Sequence, residues 1–278
     1  LYGSDLSGAG MGSLAILAIM SLLPLEKIVF IISTTAFLGT FAISQKRTRL
    51  ASMVLILINI AFSLAAPAFI KPMMSPYKGL QAALNFPGAE HMRTYSGPFS
   101  QIDIFKSPAV RFAPGLSLTY LDPLPDQTGI SIDGGQITAI TDTRDKKALA
   151  FLEYLPSALP YSLLVTRYSL QDVLIIDPKA GQQAVMAEYF GAKNAVKVES
   201  NPLLINAIGK DFSLDSGGIY NLNTFQGLAR AWLRSDSTMF DIIDMPLTTA
   251  APSGFFGISE DYRFTIEAFK EYLSHLKD

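Results

Sequence analysis

A short turn after a buried, strand-like run holds the residues best suited to bind a ligand. The run is Asp172–Ile176, and residues 177–181 (Asp-Pro-Lys-Ala-Gly) lead from it into a predicted helix. In nucleotide-binding α/β folds this first strand–turn–helix connection carries the ligand, because glycines allow close backbone approach and the helix N-terminus offers free N–H groups. Here Gly181 is the turn's only glycine, and Pro178 removes one N–H donor. Gly181 and Asp177 are our candidate cofactor-binding residues in this turn.

An acidic residue about 20 positions further along normally binds the ribose hydroxyls of such a nucleotide. Glu199 ends the next predicted strand, Ala195–Glu199, and has this spacing. Its alternative role is to cap the helix predicted at Pro202–Ile208. Both roles stay open at this point.

Asp244 is the candidate catalytic acid. It ends a third predicted strand, Phe240–Asp244, whereas Asp241 begins that strand and is expected to be structural. Tyr77 and Asp133 could line a substrate cleft, although a turn explains each of them as well. The chain has no cysteine, and its two histidines lack metal-ligand spacing, so no metal site is predicted.

The elements that position these residues alternate between strands and helices. Helices are predicted at Lys146–Ala158, Ala184–Phe190, Pro202–Ile208 and Thr265–Leu276, around the three strands above. This order indicates a parallel sheet with helices on both faces. A preceding antiparallel β unit is predicted from short alternating runs at 100–105, 116–120, 129–133 and 136–140, with a hairpin turn at Asp133-Gly134-Gly135.

The first seventy residues have a different, membrane-like composition. Apolar runs at 10–25, 28–43 and 50–70 are separated by few charges, and a bilayer span needs about 20 such residues. The basic loop Gln45–Arg49 favours the cytoplasm, which would place the domain after the third span outside it. We therefore expect an integral membrane protein in contact with the lipid bilayer, with the domain extracytoplasmic. The net charge of −2 and the lack of a basic stripe exclude a nucleic-acid partner.

The chain resembles the spermidine synthase-like proteins, in particular the bacterial branch in which that domain follows membrane helices. The segments that carry the resemblance are Ser75–Leu80, Pro114–Leu118, Asp133-Gly134, Tyr154–Ala158, Val173–Ile176, Val198–Pro202 and, most specifically, Glu260–Phe269. Tyr2–Ala9 looks like one of that branch's late membrane helices. The resemblance implies a Rossmann-like class I methyltransferase fold with a small N-terminal β unit, preceded by about three transmembrane helices.

The domain boundaries follow from this interpretation. Residues 1–70 are expected to be the last helices of a longer membrane bundle. Residues 71–145 are expected to form the linker and β unit, and residues 146–278 a C-terminally truncated Rossmann-like domain. The bacterial inner membrane is the expected location.

The resemblance also implies an activity, aminopropyl transfer from decarboxylated S-adenosylmethionine to a polyamine, and a set of positions for it. Glu199 falls at the ribose-binding position and Gly181 at the last glycine of the turn. The adenine-binding Asp falls near Leu228, the catalytic Asp near Thr248–Thr249, and the amine-binding Tyr-Gln pair near Phe151-Leu152. Neither a leucine nor a threonine can act as a base or pair with an ammonium group.

Two hypotheses from different classes follow. The first is a structural or accessory subunit with a degenerate nucleotide site, which requires no cofactor and associates with other membrane proteins. The second is an active transferase using S-adenosylmethionine or its decarboxylated form. A third hypothesis, a transporter, is supported only by the predicted membrane helices. A nucleotide cleft filled by Lys179 or its neighbours would favour the first hypothesis, and an open cleft facing Glu199 would favour the second.

Overall fold

A computed structural model describes residues 2–23, 25–65, 73–98, 100–211, 223–246 and 261–277. The chain divides into two compact units, Leu1–Ser75 with Ser96–Phe99, and Pro76–Tyr95 with Ser100–Asp278.

The first unit consists of three long apolar helices, α1 (Tyr2–Leu22), α2 (Leu25–Ile43) and α3 (Lys46–Ala65). Each is long and apolar enough to span a membrane, with mean hydropathies of 1.5, 1.5 and 1.8. Leucines such as Leu14 face outward and are 73% exposed, as expected for side chains that contact lipid tails. The predicted basic loop is instead the first turn of α3, because the Arg49 amide already donates to the Gln45 carbonyl.

The second unit begins with a short helix, α4 (Gly79–Leu84), and a sheet of strands β1 (Glu90–Ser96), β2 (Gln101–Lys106), β3 (Gln127–Ile132) and β4 (Gln136–Thr141), in that spatial order. The β2–β3 and β3–β4 pairs are antiparallel. The predicted hairpin turn is confirmed, since Asp133 and Gly134 link β3 to β4 with φ values of 54° and 65°. Such positive φ values suit Asp and Gly.

Close packing between β2 and β3 requires one glycine. Gly129 lies opposite Phe105 in the strand register. A Cβ atom at position 129 would lie 2.2 Å from the Phe105 ring. The ring therefore packs directly on the backbone of β3, and any side chain at position 129 must displace it.

The second sheet is parallel and carries the candidate site. Its strands are β5 (Asp172–Ile176), β6 (Asn194–Glu199), β7 (Thr224–Gln226) and β8 (Ile242–Asp244), in the spatial order β7-β6-β5-β8. From β5 the chain moves outward to β6 and β7 and then crosses to β8 on the other side. The order therefore reverses at β5, and ligands of open α/β sheets bind at the carboxyl ends of the strands beside such a point.

Helices cover both faces of this sheet, as predicted. One core cluster holds apolar residues of α6 (Gln182–Tyr189) and α7 (Pro202–Asp211). The other holds residues of α8 (Ala229–Ser235) and α9 (Ile266–Ser274). Helix α5 (Leu159–Val165) precedes β5. The predicted fold class, a Rossmann-like methyltransferase fold with a small β unit, is confirmed by this arrangement.

Several predicted elements differ from the structure. The predicted helix Lys146–Ala158 is two 3-10 segments, Ala148–Tyr154 and Pro156–Ala158. Pro156 causes the break, because it forces Leu155 into an extended conformation (φ −93°, ψ 142°). The predicted strand at 116–120 is a turn, since β2 pairs directly with β3 and the Ser117 amide donates to the Tyr154 carbonyl. Strands β1 and β7 were missed by the sequence analysis.

Asp241 has the structural role expected of it. Its Oδ2 accepts hydrogen bonds of 2.8 Å from the amides of both Gln171 and Asp172. Its other oxygen lies 3.1 Å from the Lys277 Nζ. The carboxylate thus joins the starts of β5 and β8 and the C-terminal segment.

Candidate nucleotide site

The turn after β5 has the backbone conformation of a glycine-rich turn, although Gly181 is its only glycine. Asp177, Lys179 and Gly181 have φ values of 51°, 53° and 85°. For side chains other than glycine, this left-handed region costs about 1–2 kcal/mol per residue. Two such residues are present here, so tertiary contacts must hold the turn in this conformation. The side chains of Asp177 and Lys179 make these contacts, as described next.

Glu199 ends β6, beside this turn, and is completely buried. Its Oε2 accepts a hydrogen bond from the Lys179 amide at 3.1 Å. Its Oε1 accepts one from the Asn201 amide at 2.8 Å and lies 3.5 Å from the Lys179 Nζ. Burial raises the pKa of Glu199, whereas the nearby Lys179 ammonium lowers it. The Asn201 amide immediately precedes α7, but the cap of this helix is Asn201 itself, whose Oδ1 accepts a hydrogen bond of 3.0 Å from the Leu203 amide. The capping role considered for Glu199 therefore falls to Asn201.

Asp177 belongs to the same group of charged residues and also contacts Arg263, which is 86 positions further along the chain. Its Oδ1 accepts a hydrogen bond of 2.9 Å from the Ser200 amide and lies 3.9 Å from the Lys179 Nζ. Its Oδ2 accepts one of 2.9 Å from the Arg263 Nη1. Arg263 also binds Asp261, and these two acids raise its pKa above the usual range. We call Asp177, Lys179, Glu199, Asp261 and Arg263 the ion cluster.

In this arrangement the Glu199 carboxylate is already engaged by groups of the chain itself. A ribose diol needs an acidic oxygen that is free to accept its hydroxyl protons. Both Glu199 oxygens already accept backbone hydrogen bonds, and the side chain of Lys179, which is 14% exposed, lies against one of them. A ligand at this place would have to displace the ammonium group from Glu199. Gly181 caps α6 from its left-handed conformation, and its own amide donates to the Pro178 carbonyl at 2.8 Å.

Asp244 lies at the end of β8, next to β5 in the sheet. The fully buried Tyr161 donates a hydrogen bond of 2.7 Å to its Oδ2. Burial raises the pKa of Asp244 to about 6, and the Tyr161 bond opposes that rise. Burial thus moves the pKa of this carboxyl group toward the range useful to a general base.

The other described positions named from the sequence are not members of the ion cluster. Leu228 is 68% exposed at the start of α8, and Phe151 and Leu152 are fully buried in the core, where no amine can reach them. Thr248–Thr249 lie outside the described residues. Tyr77 is 97% exposed. The Oδ1 atom of Asp133 accepts a hydrogen bond of 2.8 Å from the Gln101 amide.

A role for Tyr77 and Asp133 in a substrate cleft remains a prediction. A cavity of about 400 Å³ lies on the β unit, lined in part by Lys106, Arg111 and Arg144. It includes no residue of the ion cluster. Within the described ranges, no group of three or more potential ligands is arranged to hold a metal ion.

Two residues with contacts to the candidate residues, Arg263 and Tyr161, were not predicted from the sequence. Arg263, in a 3-10 segment, is 86 positions from its partner Asp177, and Tyr161, on α5, is 83 positions from its partner Asp244. No local pattern signals contacts of this kind. Lys179, in contrast, was named from the sequence as a possible occupant of the cleft. A lysine at a glycine position in a turn, 20 residues before a buried acid, indicates a possible internal ion pair.

Comparison with known proteins places the fold but not the activity. No family model and no curated protein matches the sequence. Similar solved structures are spermidine synthases. One, in complex with the transition state analogue AdoDATO, is 16% identical over 67% of this chain and 53% of that chain, with a TM-score of 0.41. The spermidine synthase from Thermotoga maritima is 17% identical over 67% and 54%, with a TM-score of 0.43.

A probable spermidine synthase from Corynebacterium glutamicum ATCC 13032 is 14% identical over 69% of this chain and 61% of that chain, with a TM-score of 0.42. The chain thus spans between half and two thirds of the length of these structures. The family named from the sequence is also the family of these structures. Sequence identities of 14–17% indicate a similar fold and nothing about activity.

Proposed function

We propose that this chain is a membrane-anchored, spermidine synthase-like protein whose nucleotide site no longer binds a ligand, and that it serves as a structural or accessory subunit of a membrane assembly. The anchor is the set of helices α1–α3, in the bacterial inner membrane. The domain lies on the extracytoplasmic side, where it does not meet S-adenosylmethionine.

The observation that carries the proposal is the state of Glu199. The acid expected to bind a ribose is completely buried, and its two oxygens are satisfied by the amides of Lys179 and Asn201. Lys179 adds a cation where a ligand would lie. Burying a charge without a partner is costly, so the pair of Lys179 and Glu199 stabilises itself and disfavours exchange for a neutral sugar.

Binding of S-adenosylmethionine and of its decarboxylated form to the detergent-solubilised chain tests this proposal. Isothermal titration calorimetry should detect no saturable binding stronger than about millimolar. Lys179→Gly is the informative variant, because it removes the ammonium group and suits the positive φ of that position. Saturable micromolar binding by the unmodified chain that is lost in Glu199→Gln would overturn the proposal.

The alternative is an active transferase, and one observation favours it. Asp244 lies at the carboxyl end of β8 with a pKa raised to about 6, so a base is available at neutral pH beside the reversal of strand order. We would then expect transfer of an aminopropyl or methyl group to an amine. The test is product formation from either donor with spermidine or putrescine as acceptor, compared with Asp244→Asn. Turnover that the variant abolishes would support the transferase.

A further inference from the structure

The second unit carries an exposed apolar surface that includes no residue of the ion cluster. Leu118 and Leu121 lie on the loop between β2 and β3 and are 96% and 90% exposed. Leu159 and Leu163, on α5, are 61% and 56% exposed. With Tyr154, which is 41% exposed, these residues form what we call the leucine face.

Contacts within the unit bring the two parts of the leucine face together. The Ser117 amide donates to the Tyr154 carbonyl at 3.0 Å, and the rings of Tyr120 and Tyr154 lie 5.1 Å apart. The turn that bears Leu118 is thereby fixed against the 3-10 segment that leads through Pro156 into α5. The loop is also in close contact there, since a Cβ atom on Gly115 would lie 2.9 Å from Pro156.

Helix α5 exposes these leucines because its other face is already used. Tyr161 is fully buried and Leu164 packs against the same core, so the opposite face, with Leu159 and Leu163 four residues apart, points outward. The segments Ala148–Tyr154 and Pro156–Val165 together are apolar enough for a membrane span, but they are bent by 81°. Their buried side chains belong to the domain core, so only their outer face is available to an apolar environment.

We propose that the leucine face inserts into the surface of the phospholipid bilayer that anchors this chain. Large exposed apolar patches mark sites of protein or membrane contact. Leucines as exposed as Leu118 and Leu121 protrude, and a protruding side chain enters fluid lipid without a shaped pocket. Tyr154 has the apolar ring and polar hydroxyl that suit the level of the lipid headgroups.

The connection to α1–α3 provides the reason to choose lipid over another occupant. Residues 66–78 link α3 to α4. At about 3.4 Å per residue they extend at most about 45 Å, and a domain of about 200 residues is roughly 40 Å across. The tether therefore keeps the bilayer at high effective concentration around the domain. The inference thus depends on the membrane anchor proposed above, but not on whether the nucleotide site is active.

The absence of cysteine from the whole sequence permits a direct test on the full chain. Leu118→Cys is labelled with an environment-sensitive fluorophore and reconstituted into vesicles of phosphatidylcholine. Lys193→Cys, at an exposed lysine between α6 and β6, is the matched control. We expect lipids brominated on their tails to quench the label at position 118 several-fold more than the label at 193, and aqueous iodide to quench in the opposite order.

The outcomes separate this inference from the proposals on which it depends. Iodide quenching at position 118 equal to that at 193, with no effect of brominated lipid, would overturn it. Protection from iodide that rises with protein concentration, also without quenching by lipid, would overturn it in favour of a protein partner. Failure of the chain to float with vesicles would refute the anchor itself, which is measured first. An added Leu121→Asp substitution should reduce the lipid quenching at position 118 at least twofold.

Discussion

Replacement of Lys179 by methionine should destabilise the second unit, because it leaves the buried Glu199 carboxylate without a cation. Removing one partner of a buried ion pair costs about 3–5 kcal/mol. Here the Nζ–Oε1 distance is 3.5 Å, and the amides of Lys179 and Asn201 still donate to the carboxylate. We therefore expect a smaller loss, about 2–3 kcal/mol. Since 1 kcal/mol lowers the Tm of a domain of this size by about 2–4 °C, the Tm should fall by roughly 4–12 °C.

Fluorescence of the single tryptophan reports this unit alone. Trp232 lies on α8 with its ring 5.4 Å from Phe225 and 6.1 Å from Phe240, so unfolding of the parallel sheet changes its environment. Thermal unfolding of the detergent-solubilised chain is followed by this signal. Lys193→Met is the matched control, because Lys193 is exposed, and its Tm should change by less than about 1 °C.

Two further measurements test the cause of the loss. Glu199→Gln added to Lys179→Met should restore at least half of the lost stability, because it removes the unpaired charge. Burial raises the folded-state pKa of Glu199 above its unfolded value, so its destabilising effect is absent below the unfolded pKa and grows as the pH rises through the folded pKa. The Tm difference between Lys179→Met and the unmodified chain should therefore shrink on acidification. A Lys179→Met variant that melts with the unmodified chain at pH 8 would refute the reasoning.

Three further predictions concern other described contacts. Asp244→Asn should stabilise the chain by about 3 kcal/mol above pH 7. The pKa of Asp244 is raised from 3.8 to about 6, and each pH unit corresponds to about 1.36 kcal/mol. Urea unfolding measures this difference in stability, which should vanish as the pH falls from 6 to 4. Arg263→Met should cost about 1.5–3 kcal/mol, the contribution of a charged hydrogen bond, since it removes the 2.9 Å bond to Asp177; thermal unfolding at low and high salt measures it. Gly129→Ala should cost about 1–3 kcal/mol through its clash with the Phe105 ring, and Phe105→Leu in the same chain should recover part of that loss.

Each of these has a matched control or a contradicting result. For Gly129→Ala the control is Gly209→Ala, on α7, where a Cβ atom meets nothing within 4 Å and helix propensity predicts a small gain of stability. Asp244→Asn would contradict its prediction by lowering the Tm at pH 8. For Arg263→Met, an unchanged unfolding curve would show that the ion cluster does not depend on its contact with the C-terminal segment.

The sequence predicted the parallel sheet well because its signals are local. The run Asp172–Ile176 is strand β5 to the residue, and the hairpin at Asp133-Gly134 follows from turn preferences alone. The position of Glu199 was also predictable from its spacing. The contacts of its carboxylate with Lys179 could not be predicted, because they depend on the backbone conformation of the turn. The contact between Asp177 and Arg263 depends on the whole domain being folded.

Two short elements were not predicted correctly from the sequence, for a related reason. Strand β7 has three residues, and its pairing to β6 rather than its own composition defines it. The 3-10 segment at Ala148–Tyr154 has the apolar spacing of a helix, and only Pro156 and the core around Phe151 decide its tighter winding. In both cases tertiary contacts outweigh intrinsic preference.

The ion cluster has a consequence for how this protein persists in the cell. A protein that binds a metabolite only in its folded state gains stability with metabolite concentration, so its abundance follows the supply of that metabolite. In the function proposed above, Lys179 takes the place of such a ligand, and its ion pair with Glu199 is present at every metabolite concentration. The amount of the protein would then be independent of methionine and polyamine metabolism, as suits a component that an assembly needs in fixed proportion under starvation and plenty alike.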